Sequence, residues 1–478
     1  MTARGLRGLR ESQRICPTPW KRSSLLVTLF CMKAAHTAID HVSRARLQDS
    51  NRVQEKDLAA HDWYRFVLAY PPHLVAHYLS EFGVTERDTV LDPFCGTGTT
   101  LVECRKRGIP SVGIEATPMG FFASSVKTAW HVDPERLLRH AEAVAARTVD
   151  RLEAQGISDA AFFSGNGADQ GKLKALPPET EKLLLKDSIS PLPLHKTLTL
   201  LEEIKGNRSS ECVRHEQVAL AKALVASISN LHFGPEVGVG AKKADAAVVA
   251  PWLANIHAIA DDLRELRKLK APRTDVYHAD SREVLRILPK NSINAVITSP
   301  PYPNEKDYTR TTRLESVIFG FLKDKDDLQA LKRTLVRSNT RNVYKGDEDD
   351  KWVADNQRIQ RIAEQIEARR IELGKTSGFE RLYHKVTKLY FGGIFRHLAE
   401  LRDILKPGAL LAYVVGDQAS YLRVMIRTGR ILGDLACSLG YEVLKTDLFR
   451  TRMATATKDK LREEVVVMRW PGKGNGGQ

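Results

Sequence analysis

The chain has 478 residues, 42% of them hydrophobic and 27% charged, the balance of a globular protein with ample core in one large domain or two. Its formal net charge of +15 and pI near 9.5 favour a polyanionic partner, nucleic acid first. The six cysteines show neither CxxC nor mixed Cys/His ligand spacing, which excludes a zinc finger and a disulfide framework and fits a cytoplasmic setting.

Residues 1–62 read as a basic arm. The apolar run 23–32 resembles a leader, but Thr28 breaks it, Lys33 ends it, and a bilayer span takes about 20 apolar residues. No membrane association is expected, and Met32 is a candidate translation start.

From 61 to 82 aromatic and aliphatic residues recur at helical spacing around Tyr70, Pro71 and Pro72, which predicts a helix docked on the next unit. Residues 89–91 read as a strand and 92–100, from Asp92 through Pro93, Phe94, Gly96, Gly98 and Thr99 to Thr100, as a glycine-containing turn. A helix over 101–107, closed by Gly108, and a strand over 111–114, ending on Glu115, complete a βαβ unit. Gly96 and Gly98 let backbone amides approach a ligand at the helix amino end. Glu115, about 20 residues beyond the turn, stands where an acid grips ribose hydroxyls.

One long helical stretch is predicted over 118–155, closing a first core block at 63–155. Prolines 177, 178, 191 and 193 and several polar runs then interrupt the α/β alternation, so 156–250 reads as a mainly helical insertion. The core resumes over 251–322 with an amphipathic helix at 252–269, a strand at 275–280 ending on Asp280, a short helix at 281–288 with Ser281 as its N-cap, and an apolar strand at 293–297. His278 reads as a core histidine and Cys95 as a packing residue, and 308–322 as helical. The charged, Arg-rich stretch 323–390 is expected to form two or three exposed helices, a second insertion. Core elements return over 391–472: a helix at 391–405, a strand at 409–415, a helix at 424–439 and strands at 441–448 and 464–470. Residues 473–478 are a glycine-rich tail.

Directly after the strand at 293–297 comes Thr298-Ser299-Pro300-Pro301-Tyr302. Its two prolines forbid both helix and ladder, so the strand ends in a stiff loop. That loop holds the Ser299 hydroxyl, the Pro300 carbonyl and the Tyr302 ring at the strand's carboxyl end, where open α/β sheets place their ligands. Two acceptors beside a flat ring suit a planar base with an exocyclic amine.

The stretch from Asp92 to Thr100 resembles motif I of the DNA amino-methyltransferases, and Ser299 to Tyr302 is similar to their catalytic Ser/Asn/Asp-Pro-Pro-Tyr motif. The resemblance covers 64–155, 252–322 and 391–470 and says nothing about the insertions. It implies an α/β, Rossmann-like seven-stranded methyltransferase sheet whose last strand runs antiparallel, here with two mainly helical insertions, and S-adenosylmethionine as methyl donor. Carried over by position, Asp92, Gly96 and Gly98 line the methionine part, with Pro93, Phe94 and Thr99 in the same cofactor-binding turn. Glu115 holds the ribose hydroxyls, Asp280 faces the adenine amine, and Tyr70 to Pro72 folds over the cofactor. Ser299, Pro300, Pro301 and Tyr302 form the catalytic set, and no metal is implied.

Serine at 299, where adenine enzymes usually carry Asp or Asn, implies cytosine N4 in DNA. Adenine N6 in DNA and a base amine in RNA or tRNA are the alternatives, and a catalytically silent nucleic-acid-binding protein is the reading outside enzymes. The glycine motif precedes the catalytic motif, and neither the 281–298 interval nor the end of the chain has room for a target-recognition domain. Target reading is therefore expected from the insertions, first from 323–390, whose arginines suit phosphates and guanine edges. The motifs carry no information on a restriction endonuclease partner.

Overall fold

The computed structural model describes residues 57–64, 69–160, 172–206, 211–233, 237–453 and 460–472, all within the unit Asn51–Gln478. The expected arm up to residue 56 and the tail from 473 lie outside the described residues. Residues 57–62 are no arm: Ala60, His61 and Trp63 are buried against the core.

Seven strands form one sheet: β1 Val90–Asp92, β2 Ser111–Glu115, β3 Thr274–His278, β4 Ile293–Thr298, β5 Leu405–Gly416, β6 Glu442–Met453 and β7 Lys460–Arg469. Their spatial order is β3-β2-β1-β4-β5-β7-β6. The first five pair in parallel, and β7 runs antiparallel between β5 and β6. This is the sheet with a reversed last strand that the resemblance implied. The order reverses between β1 and β4, so the glycine turn after β1 and the stiff loop after β4 leave the same end of adjacent strands, the usual place for a ligand crevice. β1 and β4 are buried almost throughout because helices cover both sheet faces.

The helices depart from expectation mainly at their ends. Helix α1, Pro72–Glu81, begins at the second of the two prolines, with Pro71 as its N-cap, because Pro suits a helix start and not its interior. Helix α2 is Thr99–Lys106. The single helix expected over 118–155 is two, α3 Pro118–Lys127 and α4 Pro134–Glu153; Pro134 starts the second, and Asp133 caps it by accepting from the Arg136 amide at 2.8 Å. In the first insertion α5, Pro191–Gly206, and α6, Val213–Ala223, precede a two-stranded hairpin, Leu231–Phe233 with Val237–Val239. They share one apolar cluster with α4 and with α7, Val249–Leu266.

The second insertion is not an exposed appendage. Between its helices α8, Lys325–Thr334, and α9, Gln357–Glu372, Val336 and Val353 are buried, as are Ile359 and Ile366 of α9, in the same cluster as Leu91, Val296 and Leu411 of the sheet. Part of its charge is spent on nearby acids: Arg337 meets Asp347 within the insertion at 2.7 Å, and Lys332 meets Asp307 of the core at 3.0 Å. The helix expected from 391 starts earlier. Helix α10, Tyr383–Ile404, runs from the insertion into the core as one rod, so 390 is no boundary. Helix α11, Thr428–Ser438, is shorter than expected, and β6 and β7 are longer. His278 is exposed, with its ring stacked on Phe121, because it ends the edge strand β3.

Among the described residues no helix is long and apolar enough to cross a membrane, and no group of three His, Cys, Asp or Glu side chains could hold a metal ion.

The join between insertion and core rests on a glycine. A Cβ at Gly392, in the middle of α10, would lie 1.8 Å from the Asp349 carbonyl oxygen, so this face of the helix is closed by backbone and has no flexible side chain to yield. Gly392→Ala should therefore destabilise the fold by about 2 kcal/mol despite alanine's better helix propensity. Urea unfolding measures this, and an unchanged midpoint would mean that the turn at Asp349 moves aside freely.

Candidate active site

The ends of β1 and β4 are tied together through one buried carboxylate. Asp92 accepts from the Thr298 hydroxyl at 2.6 Å and the Phe94 amide at 3.2 Å on one oxygen, and from the Tyr70 hydroxyl at 2.7 Å on the other. Thr100, the second residue of α2, donates to the Ile297 carbonyl at 3.1 Å. The glycine turn, the loop after β4 and the segment before α1 therefore meet at one side chain. Burial pushes the Asp92 carboxyl up to about 6, although Thr298, Tyr70 and the Phe94 amide all oppose the shift.

The turn itself needs its glycines for backbone reasons. Gly96 and Gly98 take φ of +52° and +84°, which residues with a Cβ rarely adopt. A Cβ on Gly98 would also meet Ser124 of α3 at 3.0 Å. Their amides are occupied inside the turn: Gly96 donates to Glu115 Oε2 at 2.9 Å and Gly98 to the Cys95 carbonyl at 2.7 Å. Glu115 further accepts from the Thr117 amide and hydroxyl on Oε1, at 2.7 and 2.6 Å. A carboxylate offers about four acceptor sites, so one remains on Oε2. Burial raises the Glu115 carboxyl as well.

Beyond β4, the Ser299 hydroxyl donates to the Val414 carbonyl of β5 at 3.0 Å. Its proton is thereby committed to the sheet, and its lone pairs are left to accept. The Pro301 carbonyl accepts from Tyr390 at 2.8 Å, and the Tyr302 amide donates to the Tyr308 hydroxyl at 2.9 Å. The Tyr302 ring lies on Gly416 at the end of β5, where a Cβ would come within 2.9 Å of it.

These groups surround one cavity of about 370 Å³. Of the residues singled out in the sequence, Pro93, Phe94, Gly96, Thr99, Glu115, Ser299, Pro300, Pro301 and Tyr302 line it, together with Tyr70 and Pro71. Asp92, Gly98 and Asp280 do not. Asp92 lies beneath the lining, and Gly98 packs on α3. Asp280 caps the turn at 281–286, so the N-cap is not Ser281. Its carboxylate turns to the Arg282 guanidinium at 2.6 Å, and Arg282 also holds Asp349 of the second insertion; Ala279 and Ser281 line the wall there instead.

Sequence reading gave Thr298 no role of its own and passed over Val336 and Ser338 of the second insertion, Gly416, and the charged trio Arg450, Arg452 and Glu463, all of which hold or line the cavity. Thr298 left a trace, as a polar residue ending an apolar run. The others are far along the chain and lack local patterning.

The model of a family described as DNA methylase, of the N6/N4 type, matches residues 22–119. A type II methyltransferase of Geobacillus stearothermophilus, M.BsoBI, is 26% identical over 84% of this chain and 82% of its own length. M.AvaI, a type II methyltransferase of Nostoc, is 24% identical over 86% of each chain. M.MjaII of Methanocaldococcus jannaschii is 36% identical over a 75-residue stretch, 16% of this chain and 14% of that one. Matched motifs at the ends of adjacent strands thus accompany likeness to type II DNA methyltransferases over most of the chain.

Proposed function

We propose that this protein methylates the N4 amine of cytosine at a specific DNA sequence, as the modification enzyme of a type II system. The observation that carries this reading is the Ser299 hydroxyl, whose proton is given to Val414, beside the free Pro300 carbonyl and the Tyr302 ring in one cavity. Likeness to DNA methyltransferases makes S-adenosylmethionine the donor, and it supplies a sulfonium methyl for in-line transfer.

The residues present fit that donor. The cavity volume is that of a small-molecule site, the spare acceptor on Glu115 Oε2 suits a ribose hydroxyl, and Tyr70, Pro71 and the 93–97 turn close one side. Asp92 supports this half from below, holding Tyr70 and Phe94 in place.

An exocyclic amine is a weak nucleophile because its lone pair is delocalised into the ring. Ser299 Oγ and the Pro300 carbonyl accept its two hydrogens, which favours a pyramidal nitrogen with its lone pair aimed at the donor. A neutral serine suffices here, since its orientation is enforced by the bond to β5. The base must leave the duplex, at a cost of a few kcal/mol, and stacking on Tyr302 returns about 1–3 kcal/mol. The cationic remainder of 323–382, which includes Arg341, Arg361 and Arg381, is assigned to reading the target. N4-methylcytosine in DNA incubated with labelled donor supports this reading, N6-methyladenine moves it by one base, and label confined to RNA overturns it.

Tyr302→Ala should lower kcat by at least about tenfold, the loss of one stacking contact, while leaving donor affinity intact. Gly416→Ala, which pushes the same ring, should lower kcat in the same direction. Unchanged turnover in both would remove the ring from the reaction. Ionised Asp92 favours a cationic donor, and its proton leaves near pH 6. Donor affinity measured by calorimetry should therefore rise about tenfold from pH 5 to 7 and then level, with Asp92→Asn flat across this range. A wild-type affinity that is flat or falls would contradict this.

A further inference from the structure

The cavity has a charged wall that the mechanism above does not use. Arg450 and Arg452 lie two residues apart on β6 and so project from the same face. Both line the cavity, as does Glu463 of the neighbouring strand β7. Glu463 is almost fully buried, and one of its oxygens is ion-paired with Arg450 Nε. Arg452 Nε stands 3.4 Å from the other oxygen but makes no hydrogen bond there, although it is buried. Among the described residues the Arg452 NH2 group reaches the Asp417 carbonyl, at 3.5 Å. Two guanidiniums thus share one carboxylate, and the wall keeps a net positive charge with unspent donors.

Position says what that charge meets. Glu463 and Arg450 act electrostatically on the Tyr302 hydroxyl, and Arg452 on that of Tyr308, so both arginines stand beside the loop that receives the base. β6 is the far edge of the sheet, four strand spacings or about 19 Å from β1. The glycine turn and Glu115 lie on the other side of the catalytic loop. An anion bound at Arg450 and Arg452 therefore belongs to the substrate rather than to the donor's carboxylate. A base drawn out of a duplex brings its own phosphodiester to the mouth of the pocket, and a pair of guanidiniums with parallel N–H groups is suited to phosphate oxygens.

We propose that Arg450 and Arg452, braced by Glu463, bind the phosphate flanking the extruded nucleotide and so hold the target base out of the helix against Tyr302. This assignment rests on the DNA-methylation reading above. Arg452 is the better probe, because its loss leaves the buried Arg450–Glu463 pair intact.

The probe is a labelled duplex carrying the site that the wild-type protein methylates. Arg452→Gln should weaken duplex binding about tenfold, the worth of one charge-assisted bond, and reduce the slope of log affinity against log salt by about 0.9. Donor affinity should stay unchanged, which also reports that the variant is folded. Arg452→Lys should keep most of the slope. A duplex with one neutral methylphosphonate beside the target base should reproduce the loss in the wild type and add none in Arg452→Gln. If Arg452→Gln keeps wild-type affinity and slope, or loses donor binding instead, the assignment is overturned while the methylation reading stands. A wild-type protein that neither binds nor methylates DNA overturns both.

Discussion

Much of the site's arrangement follows from burying one carboxylate. Asp92 has no exposed surface, and an isolated buried charge is costly, so it must collect donors. It collects them from three distant parts of the chain: Tyr70 before the first helix, the Phe94 amide in the glycine turn, and Thr298 at the head of the catalytic loop. The spacing between the donor side of the cavity and the base side is thereby set by hydrogen bonds rather than by loops. In-line transfer needs such a spacing, because a displacement of about an ångström can cost two orders of magnitude in rate. The same burial that makes the tie rigid raises the carboxyl toward neutral pH.

A second tie links the cavity wall to the second insertion. Arg282, immediately beyond Ser281 in the cavity wall, is clamped between Asp280 and Asp349 and also donates to the Arg333 carbonyl. Gly392 and Gly393 of α10 give Asp349 the room to sit there. The second insertion reaches the cavity itself through Val336 and Ser338, and Tyr421, from the loop after β5, donates to the Ser338 carbonyl. DNA seated on the insertion would thus act on the pocket through packed backbone rather than through a hinge.

The sequence by itself determined the alternation of strand and helix, the βαβ unit and the two motifs, since each is written in local signals: apolar runs of strand length, glycines where φ is positive, prolines where a strand must stop; the reversed last strand came only through the resemblance those motifs carry. It also placed the acid at 115, because the distance from turn to acid is set by one helix and one strand. It misjudged what depends on who packs against whom. Charge at 323–390 read as exposure, yet Val336, Val353, Ile359 and Ile366 lie in the core and several arginines are spent on acids nearby, because composition counts charges without pairing them. Asp280 read as a cofactor contact by position, but an arginine two residues on, held in turn by Asp349, claims it. Thr298, Gly416, Arg450, Arg452 and Glu463 became part of the site only when β4, β5, β6 and β7 were laid side by side, and that order brings together residues separated by more than a hundred positions. Local patterns decide which segments become strands and turns; the burial of their faces, a property of the whole chain, decided which side chains share the cavity.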